Sequence, residues 1–167
     1  ESLLTLNIDE SQLLTPPKEV VMRGTTSIMS YLKKISASRN TRTLDLSCLG
    51  FWFCPEELFQ LYYVTSLSLT GNQLGGIPPE ISRLTALIDL SFSDNSVKSI
   101  PVELASLTSL TELSFIDNSV SAIPPELGRL INLKKMHTDN NDIKSPPSEI
   151  LNKGTTEILS FLRRVLE

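Results

Sequence analysis

Apolar and polar positions recur along most of this chain in one fixed frame. One copy reads Leu87, Leu90, Phe92, Asn95, Val97, Ile100, Pro101, Leu104, Leu107, and the next reads Leu110, Leu113, Phe115, Asn118, Val120, Ile123, Pro124, Leu127, Leu130. A further copy precedes them from Val64 to Leu84 and another follows from Leu133 to Ile150. The dipeptides Ile77-Pro78, Ile100-Pro101 and Ile123-Pro124 set the period at 23 residues. Within each unit the L-x-L stretch alternates with period two, which predicts a short strand with one buried face. The Asn then falls at a bend, where its amide can bond backbone groups leaving the strand ladder. The IPxxIxxL tail places Pro beside a turn and spaces apolar residues three apart, which predicts a short helical turn on the outer side. A single unit buries too little to stand alone, so the units are expected to stack into one solenoid with a parallel sheet.

The motif L-x-x-L-x-L-x-x-N-x-L followed by x-x-I-P resembles the leucine-rich repeat family, and its period lies within that family's range. The resemblance implies an α/β leucine-rich-repeat solenoid of about six units, with a curved parallel sheet on the concave side and helical turns on the convex side. Two units are weaker. Residues 41–63 keep Leu44, Leu46, Phe51, Pro55, Leu58 and Leu61 but carry Leu49 at the Asn position and Cys54 at the Ile position. Residues 1–17 keep Leu3, Leu6, Ile8 and Leu13, with Ser11 at the Asn position.

Between Pro17 and Pro55 the chain holds 15 residues more than one period, and these have a twin. Residues 16–36 match 146–166 with nine identities in 21. In each copy a Gly (Gly24, Gly154) precedes a Thr (Thr25, Thr155) expected to cap a helix. The apolar stripe Ile28, Met29, Leu32, Ile35 recurs as Ile158, Leu159, Leu162, Val165. The expected division is therefore a first or partial repeat over 1–24, an inserted amphipathic helix over 25–38, repeats over 41–153 and a capping helix over 154–167. The capping helix should close the exposed end of the stack, and the inserted one is expected on the convex side, with a break into two arrays as the alternative. The PPxEIxxxGTxxILxxLRxxL element resembles the segment that closes many intracellular repeat arrays, including those of Roco proteins, where it precedes a GTPase domain. No G-x-x-x-x-G-K-[ST] occurs in this sequence, so GTPase chemistry would lie outside it.

Charge and chemistry narrow the function classes. The net charge is −4 and no run of Lys or Arg exceeds two, which argues against nucleic-acid binding. No apolar run approaches the roughly 20 residues that span a bilayer. Cys48 and Cys54 stand six apart with one His far away, which suits neither a zinc site nor a disulfide framework; a reducing, cytoplasmic setting is expected. The opening residue is Glu1, as in a processed or partial chain. No metal, cofactor or catalytic constellation converges: His137 stands alone, and Gly75-Gly76 is followed by no phosphate-loop signature.

The positions that the frame leaves free carry the candidate site. Asp45, Ser68, Asp89, Ser91, Glu112, Ser114, Ile116, His137 and Asp139 should face outward along successive strands, forming an acidic, hydroxyl-rich concave surface for a protein partner with a basic segment. Asn72, Asn95, Asn118 and Asn141 are structural. Arg23, Lys33, Lys34, Lys153, Arg163 and Arg164 gather instead near the helices. Six of the ten aromatic residues fall in 51–63, and Trp52 and Phe53 stand at positions that are small or polar in other units. They are expected to pack under the inserted helix, whose apolar stripe needs a partner, or otherwise to form an exposed anchor patch. The sequence thus indicates a monomeric, non-catalytic protein-interaction module in intracellular signalling or scaffolding, with a regulatory repeat region of a larger enzyme such as a Roco-type GTPase as the alternative.

Overall fold

The computed structural model of the chain describes residues 16–167; the strand and bend expected from Leu3, Leu6, Ile8 and Ser11 lie outside them. Five strands follow in chain order: β1 (Thr43–Asp45), β2 (Ser66–Ser68), β3 (Asp89–Ser91), β4 (Glu112–Ser114) and β5 (Lys135–His137). They pair in parallel as β1-β2-β3-β4-β5. Thr43, Ser66, Asp89, Glu112 and Lys135 stand in register, so sheet register equals the 23-residue sequence period. Each strand is short because the chain turns away at the bend, yet the ladder runs on through Leu46 N–H to Ser68 O (2.8 Å) and Leu69 N–H to Ser91 O (2.7 Å).

Inside the coil the alternating residues form columns. Leu44, Leu67, Leu90, Leu113 and Met136 make one buried column, and Leu46, Leu69, Phe92 and Phe115 the next. Phe92 and Phe115 stack with ring centroids 5.8 Å apart. Burying each such side chain contributes about 1.5–3 kcal/mol, so the stacking of units, not any single unit, holds the fold. The outer turns are 3-10 helices at Glu56–Gln60, Pro79–Arg83, Val102–Ser106 and Pro125–Arg129. Each starts after a Pro and carries a buried apolar residue (Leu58, Ile81, Leu104, Leu127), and five residues suit the tighter helix.

The duplicated segment folds twice in the same way. Helix α1 (Lys18–Met22) leads into α2 (Thr25–Thr41), and α3 (Ser148–Leu151) into α4 (Thr155–Leu166). The joint is a left-handed glycine in both, Gly24 (φ 86°, ψ 178°) and Gly154 (φ 90°, ψ −179°), a conformation a side chain would strain. These glycines are the N-caps, so Thr25 and Thr155 lie inside the helices rather than capping them. Thr155 uses its hydroxyl differently, accepting the Met136 N–H at 2.9 Å.

The two long helices then part ways. Helix α4 packs on the Pro125–Arg129 turn through the expected residues Ile158, Leu159 and Leu162, all buried. Gly128 permits the close approach, since a Cβ there would lie 2.9 Å from the Arg163 backbone N, and Arg163 Nε donates to Gly128 O at 2.7 Å. Helix α2 does not sit on the convex turns as expected: it lies along β1. It is also longer than 25–38; of the expected stripe Ile35 is buried and Ile28 and Leu32 are half-buried against the core, and Tyr31 and Ser38 are buried besides. Tyr31 meets Phe51 edge-on at 6.4 Å, Lys34 pairs with Asp45 at 3.5 Å, and Arg23 Nη1 donates to Cys48 O at 2.9 Å. The left-handed Arg42 (φ 58°) connects α2 directly to β1, which makes the helix fold back along the strand it precedes.

This placement accounts for the irregular unit at 41–63. In later units the Asn carbonyl accepts a backbone N–H from the unit before it: Leu74 N–H to Asn95, Val97 N–H to Asn118, Val120 N–H to Asn141. On the outer side of β1 lies α2, whose own N–H groups are already bonded within the helix. An apolar Leu49, half-buried against the core, suits that junction.

Candidate protein-binding surface

The strands turn Asp45, Ser68, Asp89, Ser91, Glu112, Ser114 and His137 to the outer face of the sheet, with Ile116 and Asp139 just beyond the strand ends. Parallel pairing in register brings equal positions of neighbouring units side by side. Asp45, Ser68, Ser91, Ser114 and His137 form one row, and Ser47, Thr70, Ser93, Ile116 and Asp139 the row beside it.

Because both rows are rich in hydroxyls, they join into a continuous ladder. Ser47 bonds Ser68 (2.8 Å), Ser68 donates to Thr70 (3.2 Å), Thr70 bonds Ser91 (2.9 Å), Ser91 donates to Ser93 (3.4 Å) and Ser93 bonds Ser114 (2.8 Å). The Ser93 hydroxyl also accepts the Ile116 N–H at 3.1 Å. The sequence shows the hydroxyls; the zigzag between the rows is a product of register. Half-buried and mutually bonded, these side chains are held in place before any partner arrives, which lowers the ordering cost of binding.

Charge gathers at the two ends of the ladder. Asp45 accepts the Ser47 N–H at 2.9 Å and pairs with Lys34; the Ser47 hydrogen bonds foremost, with the lysine's charge added, hold its carboxyl below the usual range. Glu112 pairs with Lys135 at 3.1 Å and His137 Nε2 at 3.2 Å, and the lysine's hydrogen bond leads in lowering its pKa. Two of the expected acidic residues therefore already have cationic partners. Asp89 and Asp139 are exposed and make no ion pair among the described residues. The Ser114 hydroxyl bonds Ser93 rather than the neighbouring imidazole, so Ser114 and His137 form no nucleophile–base pair. Among the described residues no three metal-ligating side chains cluster, and no helix is long and apolar enough to cross a membrane.

The four asparagines line the bend. Each donates from Nδ2 to carbonyls of its own and the preceding unit, as Asn118 does to Phe115 O (3.1 Å) and Phe92 O (3.0 Å). The residue before each is left-handed: Gly71 (φ 68°), Asp94 (φ 53°), Asp117 (φ 52°) and Asn140 (φ 56°), with Cys48 (φ 58°) at the same place in the first unit. This column escaped the sequence reading, although Gly, Asp and Asn at one repeat position are its signal.

The aromatic pair departs from the favoured expectation. Trp52 is 60% and Phe53 77% exposed, so neither packs under α2; Phe51 fills that role against Tyr31. Phe53 borders a groove of about 670 Å³ with Cys54, Phe59, Gly75, Gly76 and Ile77. The groove opens where Gly75 and Gly76 replace the side chains that other units carry. Cys54 is buried as expected, and burial pushes its thiol up to about 12; Cys48 is exposed, and neither forms a disulfide.

Comparison with known proteins agrees with this architecture. The family model for the leucine-rich repeat region matches residues 23–166. A leucine-rich-repeat protein of Leptospira interrogans is 33% identical with a TM-score of 0.62, over 67% of this chain and 29% of its own. Internalin C2 of Listeria monocytogenes is 32% identical with a TM-score of 0.57, over 70% of this chain and 51% of its own. The plant peptide hormone receptor RGFR1, solved in complex with RGF2, is 37% identical with a TM-score of 0.55, over 59% of this chain and 16% of its own. The chain thus spans less than two thirds of each of these proteins. A search of curated proteins finds no match. With the family model covering the sheet, the Asn bends and both flanking helices, the chain belongs to the leucine-rich repeat family.

Proposed function

We propose that this chain is a protein-interaction module whose concave hydroxyl ladder holds an extended partner segment carrying a basic residue opposite Asp89. The ladder carries this reading: hydroxyls both donate and accept, so a run from Ser47 to Ser114 can meet the N–H and C=O groups of a peptide laid across the strands. Asp89, exposed midway along it and without an ion pair among the described residues, supplies the charge. The similar receptor RGFR1 is solved in complex with RGF2, which supports a protein ligand at the level of the fold. The unlinked thiols Cys48 and Cys54 fit a reducing, intracellular setting for a monomeric scaffold or signalling component. The duplicated closing helix favours a second reading, a regulatory array within a larger enzyme such as a Roco-type GTPase; a P-loop in the full-length reading frame would support it.

The test is affinity capture from a cell extract with the chain and with Asp89→Lys/Ser91→Arg, followed by binding of the captured partner at increasing salt. Asp45 and Glu112 are left intact because they hold Lys34, Lys135 and His137. The double variant should lose the partner and keep its unfolding midpoint. If it binds normally while Trp52→Ala/Phe53→Ala does not, the aromatic groove is the site instead.

A further inference from the structure

The internal duplication shows what each copy of the helix can cover. Counting forward 130 residues, Tyr31 becomes Phe161, Ile35 becomes Val165, Lys34 becomes Arg164 and Arg23 becomes Lys153. In the first copy Tyr31, Lys34 and Arg23 contact the unit that follows the helix. Tyr31 is buried against Phe51, Ile35 is buried, Lys34 pairs with Asp45, and Arg23 bonds Cys48 O. In the second copy the equivalent face is covered only in part. Phe161 is half-buried against the core, Val165 is 54% exposed, and Arg164 and Lys153 are exposed without an ion pair among the described residues.

The neighbouring face of α4 is already occupied. Ile158, Leu159 and Leu162 are buried against the unit that precedes the helix, with Gly128 cut away to let the backbone in. Between them the two copies thus show a helix with two neighbouring apolar faces, their centres about a quarter of a turn apart, one for the unit before it and one for the unit after it. A helix that only closed an array would need the first face alone.

We propose that α4 is a joint: its Phe161–Val165 face docks the first strand unit of a further leucine-rich-repeat array, in the way that Tyr31 and Ile35 of α2 dock β1 and Phe51. The occupant is a repeat unit with an L-x-L strand, an apolar ring at the bend and a carboxylate at the position of Asp45. Arg164 pairs with that carboxylate and Lys153 reaches a backbone carbonyl at the bend. This assignment uses no residue of the concave site and stands or falls independently of it.

The experiment appends residues 38–167 directly after Glu167 of the full chain, so that α4 runs into a second array as α2 runs into the first. Urea unfolding and amide hydrogen exchange are followed in this tandem chain and in the 167-residue chain. The tandem should unfold in one transition, and amides of Phe161–Val165 should exchange roughly tenfold or more slowly than in the single chain. Val165→Asp should split the tandem transition in two while leaving the single chain's midpoint nearly unchanged. Arg164→Glu should weaken the coupling, and Asp45→Lys placed in the appended array should restore it, a rescue that unspecific burial would not give. Appended repeats that stay unfolded, or that melt independently of Val165, overturn the proposal. So does a dimer of the 167-residue chain in sedimentation that Val165→Asp abolishes, which would assign the face to a second copy.

Discussion

Replacing the bend asparagines by alanine should cost unequal amounts, in an order set by how many backbone groups each leaves without a partner. Asn118 accepts the Val97 N–H at 2.9 Å and donates to Phe92 O, Phe115 O and Ile116 O. Those carbonyls keep other donors: Asn95 at Phe92 O, Asn141 at Phe115 O, and the Asp94 N–H at Ile116 O. Asn118→Ala therefore orphans one group, the Val97 N–H. Asn72 is more deeply buried, at 8% exposure, and accepts both the Leu49 N–H (3.0 Å) and the Phe51 N–H (3.1 Å). It also donates to Leu46 O at 3.0 Å, which gains no second asparagine because residue 49 is Leu. Asn72→Ala thus orphans three groups. At about 1–3 kcal/mol for each buried group left unsatisfied, and less where water enters, Asn118→Ala should lose about 1–2 kcal/mol and Asn72→Ala about 3–5 kcal/mol. Urea unfolding followed by circular dichroism reads the whole array, and Trp52 fluorescence reads the unit next to Asn72, which exposes any separate melting of that end. Equal losses, or a larger loss at Asn118, would refute this counting of orphaned groups.

Three further outcomes are expected. Gly128→Leu should destabilise the chain by about 1–3 kcal/mol in urea, because its Cβ would meet the α4 backbone, whereas Ser82→Leu at the same repeat position should not. Alkylation at pH 8 should label the exposed Cys48 and spare Cys54, whose buried thiol is pushed up to about 12, until urea opens the array; mass spectrometry of the digests reads both sites. The Asp45 carboxyl titrates below its ordinary value, so its contribution is present above that value and is lost as pH falls through the lowered one. NMR titration should therefore show Ser47→Ala raising the Asp45 pKa, since the Ser47 side-chain hydrogen bond is the largest cause of its lowering, while the Ser47 backbone N–H bond that survives the substitution keeps it below the ordinary value.

Much of this architecture was legible before any coordinates. The 23-residue period translates directly into register, because parallel strands joined by equal coils must place equal positions side by side. The columns of Leu and Phe and the asparagine bends followed from the same frame, and so did the free positions on the outer face. What the frame could not decide is where local patterns compete for a face. The apolar stripe of α2 was legible, but periodicity alone does not say which neighbour a helix meets; Tyr31, beside that stripe, turned to Phe51 and is buried with Ile35. Trp52 was expected under that helix because aromatic residues favour burial, yet the strand-to-bend geometry turned Phe51 inward and left Trp52 and Phe53 outside. Likewise, the carboxylates of the concave face were counted as free acids from sequence, whereas folding brought Lys34 to Asp45 and Lys135 with His137 to Glu112. A repeat determines its own interior because each unit sees the same neighbour on either side; at the ends of the stack that symmetry is broken, and only packing in three dimensions selects what covers them.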